Sequence, residues 1–313
     1  MAQRSRTTGN HKISAFKFGS QRQLQTDITG YLFIAPNLIG LMLFTIFPLL
    51  FSLVISFSSW DYTQGFSAIK FNGGENYITM WSDQWFTTSF INSFYFALGV
   101  VPLTIVIALV SAVLIERYVI GKTPVRLAMF MPYVSNIVAI SIVWVMMYSP
   151  YGPITYLIKA FGVENPPKWL GDYNWAMPAI IVMSIWAGIG YAVMIYSSSI
   201  QSLPEDLYDA ARIDGANEAQ KFLKITVPLL SPTTFFLMVT MLIGNFQAFG
   251  QVHIMTHGGP GTATNVLIYY IYTAAFSFFK MGYAASISWV LFAILFVITL
   301  FLWRAQRKWV NYI

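Results

Sequence analysis

Polar side chains within apolar stretches of the chain are the first candidates for chemistry. Asn245, Gln247 and Gln251 carry amides that can bind the hydroxyl groups of a polar solute. The same amides can instead hydrogen-bond one transmembrane helix to another, and the residues alone leave both roles open. His253 and His257 are four residues apart, which puts two imidazoles on one face of a helix. Because neither a nearby carboxylate nor a third histidine accompanies them, we expect no metal site and no catalytic residue.

The composition indicates a membrane protein. Of the 313 residues, 57% are hydrophobic and 10% are charged, and the mean hydropathy is +0.61. An ordinary soluble domain has about 25% charged residues. The sequence contains no cysteine, which excludes a disulfide framework, a thiolate metal site and a cysteine nucleophile. It also has no complete Walker-type phosphate loop, so we expect no ATPase site in this chain.

Six stretches without charged residues are each long enough to cross a bilayer, which needs about 20 helical residues. We predict six helices with cores at 31–56, 90–115, 127–148, 177–200, 229–251 and 283–303. Most of the 18 Lys and Arg residues fall in the N-terminal tail, the second and fourth loops and the C-terminal tail. Because basic residues accumulate on the cytoplasmic side, this alternation predicts that both termini are cytoplasmic. The net charge of +6 therefore reflects membrane topology rather than binding to nucleic acid.

The fourth loop, residues 202–228, has the pattern of two short amphipathic helices. We expect Ser202 to cap the first helix, which begins after Pro204 with the acidic pair Glu205 and Asp206. Gly215 permits a positive φ and a sharp turn before the second helix. The alternative is a helical pair lying on lipid headgroups, but this loop has five acidic and three basic residues, which suits an anionic membrane surface poorly. We therefore expect a protein partner.

This loop resembles the EAA loop of ATP-binding-cassette (ABC) importer permeases. The family pattern is Glu-Ala-Ala, three residues, Gly, nine residues and then Ile-x-Leu-Pro. The matching residues here are Asp209-Ala210-Ala211, Gly215 and Ile225-Thr226-Val227-Pro228. Asp209 and Val227 are conservative departures from the pattern. The longer string at 204–216 is most similar to the carbohydrate-uptake branch, and Gly258-Gly259-Pro260 resembles the outer loop of the maltose and glycerol-phosphate permease subunit.

The resemblance implies an all-α integral membrane protein with six transmembrane helices, a two-helix cytoplasmic coupling loop and both termini cytoplasmic. The permease domain would cover residues 31–303, with the coupling loop at 202–228, between cytoplasmic tails at 1–30 and 304–313. Implied partners are a second permease subunit in a heterodimer, two ABC ATPase subunits that bind ATP and magnesium, and an extracytoplasmic solute-binding protein. The implied location is the cytoplasmic (inner) membrane of a bacterium or archaeon, in contact with lipid. No cofactor in this chain is implied.

The resemblance also implies roles for particular residues. Substrate contacts would come from the helices on either side of the coupling loop, at Ser184, Gly188, Tyr191, Met241, Gly244, Asn245 and Ala248. Coupling to the ATPase would involve Asp209, Ala210, Ala211, Asp214, Gly215 and Ala216. Four aromatic residues could stack on a sugar, although packing or contact with lipid is the commoner role of such residues. They are Trp144, Trp186, Phe246 and Phe249.

The function implied is transport of a sugar or oligosaccharide by alternating access, without enzymatic activity in this chain. Sugar hydroxyls suit amide and phenol partners, and sugar C–H faces suit aromatic rings. An importer permease for a phosphorylated polyol such as glycerol phosphate is an alternative, although no Lys or Arg lies inside a predicted span. A membrane-embedded metal enzyme that uses His253 and His257 is an alternative from another class.

Overall fold

Helices dominate the computed structural model, which describes residues 21–310. The α-helices are α1 (Gln21–Leu41), α2 (Phe47–Ser56), α3 (Glu75–Thr79), α4 (Gln84–Tyr118), α5 (Lys122–Val134), α6 (Ile137–Met147), α7 (Pro153–Ala160), α8 (Ala176–Gln201), α9 (Glu205–Ile213), α10 (Glu218–Lys221), α11 (Val227–Leu229), α12 (Ser231–Phe246), α13 (Gly250–Met255), α14 (Leu267–Tyr272) and α15 (Met281–Ala305). Most of the predicted tail at 1–30 and the last three residues of the chain lie outside the described residues.

The chain divides after Ser52 into two units. The described part of the first unit contains α1, a π-helical turn at Met42–Ile46 and the beginning of α2. Pro48 follows this turn and has no N–H to donate to a carbonyl in the preceding turn. Just before it, the Phe47 N–H donates to the Met42 carbonyl five residues back, which is the hydrogen bond of a π-helix. The second unit, Leu53–Ile313, contains every residue of the candidate site.

Four helices are long and apolar enough to cross a membrane, namely Ile28–Ser56, Gln84–Tyr118, Ala176–Gln201 and Met281–Lys308. Two pairs of helices meet the same criterion together but are bent. Lys122–Val134 and Ile137–Met147 meet at 96°, and Glu218–Leu229 and Ser231–Phe246 meet at 63°. By length and composition the described residues therefore form four spans, or up to six if each bent pair is one span.

The predicted third core, 127–148, is wrong as one continuous helix, because the chain breaks between α5 and α6. Pro132 lies near the end of α5, and Ser135 adopts an extended conformation with φ −71° and ψ 151°. Asn136 then caps α6, since its Oδ1 accepts a hydrogen bond from the Val138 N–H at 2.8 Å. The predicted fifth core, 229–251, is also interrupted: α12 ends at Phe246 and α13 begins at Gly250.

The predicted cap at Ser202 is also wrong. The Ser202 Oγ donates to the Ser199 carbonyl at 2.8 Å, so this residue closes α8, and α9 begins after Pro204 without a side-chain cap. The side-chain cap belongs to α10 instead. Asn217 Oδ1 accepts from the Gln220 N–H at 2.8 Å, and Gln220 Oε1 accepts from the Asn217 N–H at 2.9 Å. A serine between two helices can hydrogen-bond a free backbone carbonyl at the end of the first helix or a free backbone N–H at the start of the second. Its position in the sequence does not decide between these two roles.

Helix α4 is the centre of the apolar core. It contributes to three clusters, one with α6, α8 and α13, one with α14 and α15, and one with α8 and α12. Glycines allow the closest approaches between these helices. A Cβ on Gly99 of α4 would lie 2.8 Å from Ile181 Cδ1 of α8, and a Cβ on Gly190 of α8 would overlap the backbone of Met129 in α5. Helices α4 and α5 are thus both packed tightly on α8.

The segment between α2 and α4 contains a small hairpin. Strand β1 (Ser58–Ser59) pairs antiparallel with β2 (Lys70–Phe71), with Ser58 opposite Phe71. Asn76 fixes the hairpin to the end of α2, because its Nδ2 donates to the carbonyls of Ser56 at 2.9 Å and Ser58 at 3.0 Å. The fold is therefore mostly helical rather than all-α as predicted.

Candidate functional site

A cavity of about 480 Å³ lies between α8, α12 and the break that separates α5 from α6. All seven residues assigned to substrate contact line it. They are Ser184, Gly188 and Tyr191 of α8, Met241, Gly244 and Asn245 of α12, and Ala248 just beyond α12. The structure thus brings together two groups of residues that the whole coupling loop separates in the sequence.

The lining of the cavity is polar but uncharged. Its hydroxyl and amide side chains are those of Tyr133, Ser135, Ser184, Tyr191, Thr240, Asn245, Gln247 and Gln251. Among the described residues, no Lys, Arg, His, Asp or Glu lines this cavity. Such a surface can exchange hydrogen bonds with hydroxyl groups, but it holds no fixed charge for an ionic group.

Two amides in the cavity have hydrogen-bonding capacity left for a solute. Asn245 Nδ2 donates to the Met241 carbonyl of its own helix at 2.8 Å, which leaves Asn245 Oδ1 as a possible acceptor. Gln251 is 9% exposed, and its side-chain amide makes no hydrogen bond within residues 21–310. Within residues 21–310, the hydrogen bond of Asn245 is made inside its own helix and does not join α12 to another helix.

Two glycines keep the cavity open. A Cβ on Gly244 would meet no heavy atom within 4 Å, so this position faces empty space. A Cβ on Gly188 would be in ordinary contact with Met241 Cε at 3.6 Å and Thr104 Cγ2 at 3.7 Å. Larger residues at Gly188 and Gly244 would occupy part of the cavity. Glycine at these positions is therefore compatible with a site that holds a solute.

Tyr133 is a cavity residue that the sequence analysis misses. Its ring stacks on that of Tyr191, with centroids 4.8 Å apart and planes at 19°. Tyr133 and Ser135 reach the cavity because α5 ends between them, at Val134. The sequence does contain a signal for the end of α5, because Pro132 followed by Ser135 predicts a helix end. That signal does not predict which side chains near the helix end line a cavity.

Of the four aromatic residues considered for stacking on a sugar, Phe249 is the one that lines the cavity. Trp144 is buried and contacts Trp186, with ring centroids 5.6 Å apart. Phe246 is also buried and meets Phe94 edge to face at 5.1 Å. Trp144 and Phe246 therefore serve packing in the core, and Trp186 lies outside the cavity lining.

His253 and His257 lie close together inside an aromatic cluster. Their ring centroids are 5.2 Å apart and edge to face, and His253 also stacks on Phe249 at 5.0 Å. Tyr269 and Tyr272 complete the cluster around His253. Within the described residues, no three His, Cys, Asp or Glu side chains are grouped as metal ligands. The geometry gives no support to the alternative of a metal enzyme.

Helix α9 ends in a Schellman motif centred on Gly215. The φ of Gly215 is +74°, its N–H donates to the Arg212 carbonyl at 3.1 Å, and the Ala216 N–H donates to the Ala211 carbonyl at 2.9 Å. The predicted positive φ at Gly215 is thus confirmed. After α10, a π-helical turn at Phe222–Thr226 precedes Pro228, as the turn in the first unit precedes Pro48.

Most of the six residues assigned to ATPase coupling are exposed. Asp209, Ala210, Asp214 and Gly215 are exposed, whereas Ala211 and Ala216 are half-buried. Next to them the apolar side chain of Ile213 is 88% exposed. The six residues therefore lie in a loop whose acidic and apolar side chains are largely exposed.

Internal contacts fix the shape of the loop. Tyr208 of α9 contacts Thr226 through their hydroxyl groups at 3.0 Å, and Lys221 Nζ donates to Glu218 Oε1 at 2.6 Å. The hydrogen bond from Lys221, together with the charges of Lys221 and Arg117, holds the pKa of Glu218 below its usual value. Lys221 and Arg117 thus favour the ionised form of Glu218.

Several apolar helices, a polar uncharged cavity between two of them, and an exposed two-helix loop that joins the same two helices define a membrane transport subunit. The chain belongs to the family described as "Binding-protein-dependent transport system inner membrane component", whose model matches residues 104–308. The family inferred from the EAA-like loop is therefore confirmed, and the chain is a multi-pass component of a membrane transporter.

Several relatives cover nearly the whole chain. It is 33% identical to the probable ABC transporter permease protein YesP of Bacillus subtilis (strain 168), over 97% of this chain and 98% of that relative. It is 33% identical to the lactose transport system permease protein LacF of Rhizobium radiobacter, over 90% and 95% of the two chains. It is 32% identical to the sn-glycerol-3-phosphate transport system permease protein UgpA of Agrobacterium fabrum, over 91% and 97%.

The fold also matches a solved transporter. A chain in the crystal structure of a bacterial ABC transporter involved in the import of the acidic polysaccharide alginate superposes with a TM-score of 0.77 at 21% identity. The match covers 92% of this chain and 98% of that chain. The chain therefore has an ABC permease fold.

Proposed function

We propose that this chain is the transmembrane subunit of an ATP-driven importer that moves a sugar or oligosaccharide, delivered by an external solute-binding protein, by alternating access. One observation carries the proposal: α8 and α12 both line the cavity, and the coupling loop connects them. A displacement of the loop would therefore move two walls of the cavity together. Alternating access requires such a rigid-body change around a binding site.

The partners in this proposal follow from the loop and the cavity. The exposed acidic and apolar groups around Ile213 support docking of the loop on a cytoplasmic ATPase subunit, two of which would bind ATP and magnesium. This chain would contribute no ATPase site and no cofactor. A second permease subunit would complete the pathway as a heterodimer, and a solute-binding protein would deliver the sugar on the outer side.

The proposed topology has six spans and both termini in the cytoplasm. The first bent pair would cross the membrane once, and in the second pair only Ser231–Phe246 would cross, because Glu218 and the residues up to Pro228 belong to the coupling loop. The distribution of Lys and Arg over the loops supports this arrangement, because the segments with most basic residues alternate with those that have few. The permease domain would then extend over 31–303, between tails at 1–30 and 304–313, in a bacterial or archaeal inner membrane.

The cavity lining supports a neutral carbohydrate as the substrate. Amide, hydroxyl and aromatic groups suit a sugar, and the described lining has no cation to bind a phosphate. A phosphorylated polyol such as glycerol phosphate is the second candidate, because UgpA is named for sn-glycerol-3-phosphate transport. For that substrate the partner permease would have to supply the cationic group.

Uptake by the assembled complex in lipid vesicles tests the substrate site. We expect Asn245→Ala to raise the apparent KM for a radiolabelled neutral sugar about fivefold, because a hydrogen bond to substrate is worth about 1 kcal/mol. Asn174→Ala removes an exposed amide outside the cavity and is the matched control. Equal KM values for the two variants would remove Asn245 from the site.

Competition separates the two substrate candidates. Unlabelled neutral sugars should inhibit uptake, whereas glycerol phosphate should not. If glycerol phosphate alone is taken up by the wild-type complex, the neutral-sugar assignment is wrong. If no solute is accumulated in the presence of ATP, with assembly of the subunits verified, the importer assignment fails as a whole.

A further inference from the structure

Two consecutive residues at the C-terminal end of α4 bind two different elements. Arg117 contacts the coupling loop, and Glu116 contacts α5. Both residues precede Tyr118, the last residue of α4. The last turn of α4 therefore connects the coupling loop to α5, although the loop and α5 are far apart in the sequence.

Arg117 contacts both helices of the coupling loop. Its Nη1 donates to Glu218 Oε2 of α10, and its guanidinium lies over the ring of Tyr208 of α9, 5.1 Å from the centroid. Glu218 also binds Lys221, whose side chain is only 6% exposed. The guanidinium thus lies where the two helices of the loop approach α4.

Glu116 holds the beginning of α5. Its side chain is 5% exposed and accepts a hydrogen bond from Arg126 Nη2. Lys122 Nζ donates to the Glu116 carbonyl at 2.5 Å and lies 3.5 Å from its carboxylate. Solvated ion pairs on a surface have little mechanical effect, but the Glu116 carboxylate is removed from water, and separating it from its partners is costly.

The far end of α5 lines the cavity. Pro132 and Tyr133 lie in the last turn of α5 and Ser135 follows the helix, and all three line the cavity. Near its middle, α5 touches the backbone of α8 at Gly190, and this contact gives α5 a point about which it can tilt. A force applied at the beginning of α5 would therefore change the position or tilt of its cavity end.

We propose that the Glu116–Arg117 pair transmits movement of the coupling loop to the Tyr133 and Ser135 wall of the cavity through α5. This path is additional to the covalent connections of the loop to α8 and α12, and it rests on the proposed transport function. Arg117 is a positioning residue, since it acts on the cavity through α4 and α5 and does not contact the solute. The loop thereby controls three walls of the cavity instead of two.

Cysteine labelling distinguishes the two paths, because the natural chain has no cysteine. Ser135→Cys reports the wall built by α5, and Thr240→Cys reports the wall built by α12. In the assembled complex we expect the rate of labelling by a water-soluble maleimide to change at both positions when ATP is trapped on the ATPase subunits. With Arg117→Gln added, the change at Ser135→Cys should fall at least about fivefold while that at Thr240→Cys remains.

Unchanged ATP-dependent labelling at Ser135→Cys in the presence of Arg117→Gln overturns the proposal. Equal loss at both positions also overturns it, because that result means general uncoupling of the loop. If the complex without Arg117→Gln shows neither uptake nor any ATP-dependent labelling, the transport function itself has failed, and the two failures are thereby distinguished.

Charge reversal provides a second test that does not depend on labelling. Arg117→Glu and Glu218→Arg should each lower the amount of sugar transported per ATP hydrolysed at least about fivefold, and the double variant should recover most of it. Arg307→Glu, an exposed reversal after α15, is the matched control. Single variants that keep the wild-type ratio, or a double variant as poor as the singles, contradict the proposal, and copurified ATPase subunits verify assembly of each variant.

Discussion

At the scale of single residues, glycine has two opposite uses in this protein. Gly190 permits contact between the backbones of α8 and α5, whereas Gly244 leaves empty volume in the cavity. The same substitution by alanine should therefore affect stability at one position and transport at the other.

We expect Gly190→Ala to lower the thermal unfolding midpoint of the purified protein, because an added Cβ overlaps the backbone of α5 and overpacking costs about 1–3 kcal/mol. Gly244→Ala should leave the midpoint unchanged or slightly higher, since alanine favours the helix and meets no neighbour. Thermal melts in one detergent give both values. A similar fall for the two variants would contradict this account of α5 packing.

The stacked pair of Tyr133 and Tyr191 makes a separate prediction for the cavity. Tyr133→Ala removes the ring and should raise the apparent KM for the transported sugar severalfold, because an aromatic stack contributes about 0.5–1.5 kcal/mol and orients Tyr191. Tyr133→Phe keeps the ring and is the control. If the two variants are equally impaired in vesicle uptake, the hydroxyl group of Tyr133 matters and the stack does not.

At the scale of secondary structure elements, the coupling loop depends on the conformation of Gly215. Its φ of +74° is strained for a β-branched residue, by about 1–2 kcal/mol, although a Cβ there would meet no neighbouring atom. We expect Gly215→Val to lower uptake and substrate-stimulated ATP hydrolysis together, because the Schellman motif would be distorted. Gly215→Asn, which tolerates a positive φ, should retain most of both activities. Wild-type uptake and stimulated hydrolysis in Gly215→Val would rule out a role for this turn in coupling.

The elements also show how far the sequence determines this fold. Uncharged stretches and the EAA-like spacing predict apolar helices and the loop between α8 and α12. The seven substrate positions carried over through the family resemblance all line one cavity. The break at Ser135 was not predicted, because Pro132 near a helix end is compatible with a kink as well as a stop. Tyr133 was missed for the same reason: its place in the cavity depends on the 96° bend, which is a tertiary property.

At the scale of the whole molecule, the distribution of charge makes a prediction about topology. A single cysteine in the first outer loop, Lys70→Cys, should react with a membrane-impermeant maleimide added to intact cells. A cysteine after α15, Lys308→Cys, should react only after the membrane is opened, because the C-terminal tail is predicted to be cytoplasmic. The reverse pattern would invert the proposed orientation, and labelling of both from outside would exclude six spans.

The uncharged lining of the cavity also bears on energetics. A fixed charge that moves through the membrane field changes in energy by about 2.3 kcal/mol for each 100 mV. A neutral sugar among amides and hydroxyls brings no such charge, and the described cavity walls add none when they move. Collapsing the voltage across sealed vesicles with an ionophore should therefore leave the initial rate of sugar uptake unchanged at constant ATP. The free energy of ATP hydrolysis alone would then set the sugar gradient that the transporter can build.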